Sequence, residues 1–191
     1  MKSEVKSNSR ENILEAAKKV AQARGYGGLN FRDLAQEVGI RSASIYHHFP
    51  SKAELGAAVA RRYWEDSAAE LEAMWTETLD PLRCLHQYPQ IFRKSLENNN
   101  RLCLGSYMAA EYDDLPEAVK TEVQLYADVQ VAWLSKVLAA ATGASSENSE
   151  PRARAIYAAV AGAQLLARSR SDIALFDALI ESYRVAGPLP A

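Results

Sequence analysis

Cysteine is scarce in this chain: 191 residues hold two, Cys84 and Cys103. A disulfide framework is excluded in practice, and with no charged-then-apolar leader at the start the two read as reduced thiols in a cytoplasmic protein. Long apolar runs are also missing. The longest uncharged one, Ala155 to Ala163, falls far short of the ~18 residues that a membrane span requires, so no membrane partner is expected. Histidines number three. His47 and His48 are adjacent, which points them about 100° apart on a helix rather than along one face as zinc ligands at i and i+4 would be; no metal site is expected. A glycine-rich phosphate loop and a Ser, His and Asp constellation are absent too, which argues against an enzyme and implies no cofactor. Alternating apolar and polar runs bounded by turn residues do not occur either, so strands are not predicted.

What is present is helical periodicity from end to end, and the fold class it predicts is all-α with about nine helices. Hydrophobic residues make up 48% and charged ones 24%, ordinary proportions for a chain that buries a core. The net charge of −2 hides an asymmetry: up to Arg62 eleven Lys and Arg face six Asp and Glu, a surplus of +5, while the remainder carries −7. A basic N-terminal third suits a polyanion, because Lys and Arg that neutralise phosphates release condensed counterions.

The first helix is expected to start with Asn8 or Ser9 as cap, to turn Ile13, Ala16, Ala17 and Val20 inward, and to stop at Gly25 in "RGYGG". Asn30 caps a short second helix with Phe31, Leu34, Ala35 and Val38 on its apolar side, and Gly39 ends it. A third spans about 41–49, closed by Pro50. Ser51 with Glu54 forms a capping box for a long fourth helix running to Asp80-Pro81. Further helices are placed at about 81–98, 101–112, 115–142, 151–168 and 172–186, with Thr142 to Pro151, "TGASSENSEP", as a flexible separator. The acidic Glu111, Asp113 and Asp114 are read as ending one helix and capping the next.

Three short helices in about 45 residues, the second and third joined at a glycine, form the pattern of a helix-turn-helix. On the third, Ile45 and Phe49 share a face that can bury against Leu34 and Val38, leaving Ser42, Ala43, Tyr46 and His47 on other faces. Small hydroxyl and methyl groups suit base edges; Tyr and His reach phosphates.

"GIRSASIYHHFPSKAEL" resembles the signature of the TetR family of transcriptional repressors at Gly39, Tyr46, His48, Phe49, Ser51 and Lys52, with further agreement at Ile13, Ala16, Ala17, Gly25 and "LAQEVG". The resemblance implies a repressor that binds a double-stranded, palindromic DNA operator as a homodimer and is released by a small-molecule effector. It implies a DNA-binding domain at 1–51 and an effector-binding and dimerisation domain at 52–191. By the same resemblance Ser42, Ala43, Ser44, Tyr46 and His47 face bases or adjacent phosphates, Lys52 meets a phosphate, Asn30 and Arg32 hold the neighbouring backbone, and Arg41 or Arg32 supplies any base-reading guanidinium. The effector cavity would be lined by Phe92, Cys103, Tyr107, Tyr126 and Trp133. Helices at 151–168 and 172–186 would form the dimer seam through Ala155, Ala158, Ala159, Gly162, Ala163, Leu165, Leu166, Leu175, Leu179 and Ile180. Two alternatives stand beside this: a helical small-molecule-binding protein without DNA binding, and an electrophile sensor whose thiol is Cys103, although that residue reads first as a small buried hydrophobe because free Cys is among the most buried residue types.

Overall fold

The structure is a computed structural model that describes residues 2–187 and 189, with 2–8 described by backbone alone. Among the described residues there are nine α-helices, one short 3-10 turn and no strand. The helices are α1 Lys2–Arg24, α2 Phe31–Val38, α3 Ser42–His48, α4 Lys52–Thr78, α5 Pro81–Glu97, α6 Leu104–Ala110, α7 Glu117–Thr142, α8 Ser146–Arg170 and α9 Ile173–Ala186; the 3-10 turn is Tyr112–Asp114. No described helix is long and apolar enough to cross a membrane.

Local chemistry accounts for most boundaries. Asn30 Oδ1 accepts the N–H groups of Arg32 and Asp33 at 2.8 and 3.2 Å, satisfying two of the donors that the start of α2 leaves without partners. Gly39 ends α2 at φ +73°, left-handed backbone where a Cβ would be strained, and Asp80, Ser145 and Asp172 cap α5, α8 and α9 in the same way as Asn30 caps α2.

Three boundaries differ from the sequence expectation. Helix α1 starts at Lys2, not at Asn8 or Ser9, because nothing between them breaks a helix: no proline, no glycine. Helix α6 is confined to Leu104–Ala110 instead of 101–112. Asn99 and Asn100 turn left-handed after α5, and the Cys103 N–H donates to Gln164 Oε1 at 3.1 Å, a partner outside any helix ladder. Helix α8 begins five residues before Pro151, so most of the "TGASSENSEP" stretch is helix, not a flexible separator. Ser145 Oγ accepts the Asn148 N–H at 3.2 Å, and Pro151 sits in the second turn at the cost of the bond its N–H would give to the Glu147 carbonyl.

The chain divides into two compact units. The first comprises the residues through Trp64 together with Leu104–Tyr126; the second comprises Glu65–Cys103 and the residues from Ala127 onward. In the first, Ile13, Ala17, Leu34, Ile45, Phe49, Leu55, Val59, Leu104, Met108, Val119 and Val123 form one apolar core. Each large side chain among them is worth about 1.5–3 kcal/mol on burial. In the second, α5, α8 and α9 pack together over Leu85, Tyr88, Phe92, Ile156, Val160, Phe176 and Ile180.

Candidate nucleic-acid interface

Helix α3 is anchored on one side and open on the other. Ile45 and Phe49 are buried in the core that also holds Leu34, Leu14 and Ala17, and Arg10 lies over the Phe49 ring at 5.1 Å. The opposite positions Ala43, Tyr46 and His47, at i, i+3 and i+4, all face solvent. Tyr46 is 56% exposed, and its ring is held edge-on to Phe31 at 4.7 Å, which orients the phenol without covering it. Ser42 and Ser44 are half-buried flanks, and Arg41, at the cap position of α3, is exposed. His47 and His48 meet edge-on at 5.4 Å. Among the described residues no group of three or more His, Cys, Asp or Glu is placed to hold a metal ion.

Asn30 and Arg32 lie exposed at the start of α2, but the backbone amides there are already engaged by Asn30 itself, so an anion at that point would be met by side chains. Lys52 occupies the first position of α4. Its Nζ donates to the Gly27 carbonyl at 3.1 Å and stands over the Tyr26 ring at 4.7 Å. One of its three N–H groups thus serves the turn between α1 and α2, a task that spacing could not reveal.

Two carboxylates in the first unit take roles that the sequence does not signal. Glu111 accepts the backbone N–H of Tyr26 at 2.7 Å and of Gly27 at 3.4 Å. Glu122, buried to 5% exposure, accepts Arg61 Nε and Nη2 at 3.0 and 2.5 Å and Trp64 Nε1 at 2.8 Å. Burial raises the Glu122 pKa, but the hydrogen bonds from Arg61 and Trp64 and the Arg61 charge outweigh it and hold the group below its ordinary value. "RGYGG" signals a turn dense in backbone amides, yet nothing in the linear order marks a glutamate 85 positions away as their acceptor.

Of the five residues expected to line an effector cavity, Phe92, Cys103 and Trp133 lie in the second unit and Tyr107 and Tyr126 in the first. Phe92, Cys103, Tyr126 and Trp133 are buried; Tyr107 is half-buried. Trp133 stacks on Tyr88 with centroids 5.9 Å apart, and its indole N–H is buried without a hydrogen-bond partner. Around it the Tyr88 hydroxyl donates to Gln130 Oε1 at 3.0 Å, and Gln130 Nε2 donates to Ser67 Oγ at 2.8 Å. Gln164 Nε2 donates to the Phe92 carbonyl at 2.6 Å. A separate open groove of about 600 Å³ in the same unit is lined by Asp128, Val131, Ser135, Glu147, Glu150 and Arg154 among others.

The family model for bacterial regulatory proteins of the tetR family matches residues 13–59, the segment that folds into most of α1, α2, α3 and the start of α4. A solved TetR-family transcriptional regulator from Agrobacterium tumefaciens superposes with a TM-score of 0.82 at 30% identity, covering 93% of this chain and 96% of that one. The chain belongs to the TetR family of transcriptional regulators. Among curated members, the repressor AcnR of Corynebacterium glutamicum is 30% identical over 165 residues, 74% of this chain and 86% of AcnR. The repressor KstR2 of Rhodococcus jostii is 29% identical over 127 residues, 58% of this chain, and the match spans 62% of KstR2's length. TetR membership accounts for the anchored third helix with an open outer face.

Proposed function

We propose that this TetR-family regulator is a homodimeric repressor that holds a palindromic operator through α3 and lets go when a small molecule binds its second unit. The observation that carries the reading is α3 itself: Ile45 and Phe49 lock its inner face into the core while Ala43, Tyr46 and His47 stand clear on its outer face. A helix so anchored can enter a major groove of about 12 Å as a rigid body. Ser42, Ala43, Ser44 and His47 are the base-facing set, Tyr46 and Lys52 are backbone contacts, and Asn30, Arg32 and Arg41 flank them. The DNA-binding domain is 1–51 and the effector-binding and dimerisation domain 52–191.

The effector reading is supported by the second unit's core, where Trp133 presents an unmatched N–H beside the stacked Tyr88 ring, itself tied to Gln130. An effector taking this region would be uncharged and largely aromatic or apolar, with an acceptor for that donor. Phe92, Cys103 and Trp133, the members of the expected set that lie in this unit, are its proposed lining. Cys103 is 1% exposed, which supports packing over electrophile sensing.

The test is selection of duplexes from a random library by the parent protein, followed by affinity measurements against salt for alanine variants. Lys52→Ala should weaken binding to both the selected and a scrambled duplex and lower the salt slope on each by about one. Ser42→Ala and His47→Ala should change which variants of the site are preferred, at about 1–3 kcal/mol for each well-made base contact. Failure of the parent to enrich any duplex would leave the DNA-binding reading without support.

A further inference from the structure

The turn between α1 and α2, Gly25 to Leu29, is gripped from two sides. Its N–H groups at Tyr26 and Gly27 point to the Glu111 carboxylate, which sits just after α6, and its Gly27 carbonyl takes the Lys52 ammonium. The grip is built into the turn. Gly25 is left-handed at φ +68°, and a Cβ there would collide with the Glu111 carboxylate; a Cβ on Gly56 would run into the Tyr26 ring. Glycine at 25 therefore does two things at once: it permits the backbone conformation and leaves the volume the carboxylate occupies. Helix α2 starts directly after this turn at its Asn30 cap, and α3 follows through Gly39 with no further slack.

We propose that Glu111 is a positioning residue for DNA recognition, a latch whose carboxylate fixes the α1–α2 turn and with it the pose of the reading helix α3. It touches no base or phosphate. A charged acceptor on two neighbouring backbone amides is a stronger and more directional tie than apolar packing, which tolerates sliding. Removing it leaves the Tyr26 amide, part-buried, without its partner and frees the turn to rock on the core beneath. The inference rests on the DNA-binding reading above.

Three substitutions separate reach, charge and mere bulk: Glu111→Ala removes the acceptor, Glu111→Asp keeps the charge but is one methylene short, and Glu111→Gln keeps the reach and one carbonyl oxygen. Two measurements are made on each full-length protein. Hydrogen exchange of the free protein should show the amides from Tyr26 to His48 opening about tenfold faster in Glu111→Ala and Glu111→Asp, with the second unit unchanged. Affinity for the duplex selected by the parent should fall about tenfold in the same two variants and less than about threefold in Glu111→Gln, while a scrambled duplex is bound as by the parent. A residue that only stabilised the fold would lower the melting temperature in all three without separating selected from scrambled DNA. If the alanine variant fails to fold, the aspartate and glutamine pair carries the comparison. A parent that enriches no duplex sinks the DNA-binding reading; a parent that enriches one while Glu111→Asp binds it within twofold, or shows parental exchange across 26–48, sinks the latch alone.

Discussion

Glu122 shows how one side chain can be settled by its neighbours. A glutamate at 5% exposure is costly unless matched, and here a guanidinium and an indole N–H surround it. Its folded pKa lies below its ordinary value, so the unfolded chain binds the proton more readily than the folded one. The stability that follows is complete above the ordinary carboxylate range, about 4.3, and is lost as pH falls through the lower folded value. Glu122→Gln should therefore cost about 1–2 kcal/mol at pH 7, and the gap to the parent should close in acid. Urea unfolding at pH 7 and at about pH 3 checks it; a gap that grows on acidification would contradict the account. Nothing in the local sequence around Glu122 announces this, since its partners Arg61 and Trp64 are carried by another helix. Arg10 over Phe49 and Lys52 over Tyr26 are equally hidden in linear order.

Helices α2 and α3 are legible in the sequence nearly to the residue, because their signals are local: an Asn cap, a left-handed Gly and a following Pro. The boundaries that differ do so where another group competes. Cys103 gives its amide to Gln164 and stays out of α6, and the Ser145 cap starts α8 ahead of Pro151, a residue that by itself signals a helix start. The two left-handed glycines flanking α2 offer a direct comparison. A methyl added at Gly39 would meet nothing within 4 Å, so Gly39→Ala bears only the backbone strain, about 1–2 kcal/mol. Gly25→Ala bears that strain and also expels the Glu111 carboxylate. Thermal unfolding should rank Gly25→Ala clearly below Gly39→Ala; equal melting temperatures would mean the carboxylate is not seated against the turn.

For the assembled protein, α8 and α9 carry the dimer proposal. Ala155, Ala158, Leu165 and Leu166 lie along α8, the two leucines exposed at 56% and 50%, and Ala159 and Gly162 fall between them in the sequence, clear of the buried positions. These positions recur at i, i+3, i+4, i+7, i+10 and i+11, a continuous apolar stripe of small and branched residues suited to close helix approach. Ala163 and Ile180, expected in the same seam, are instead buried in the second unit's own core, since their spacing puts them on the inner face of each helix. Replacing Leu165 and Leu166 together with glutamate should leave the single subunit folded, as exposed positions allow, and yield a monomer by sedimentation at micromolar concentration. A persistent dimer would place the interface elsewhere.

Helix content, the order of the short N-terminal helices and the TetR signature can all be read in linear order, because caps, left-handed glycines and 3.6-residue periodicity act within a few positions of one another. Which unit a helix joins cannot. Leu104–Tyr126 clusters with the N-terminal residues, and the Glu111, Glu122 and Gln164 side chains find partners 58 to 85 positions away. Those pairings follow from burial: a polar group removed from water must be matched by whatever the packed helices bring within about 3 Å, and that choice exists only once the chain has closed on itself.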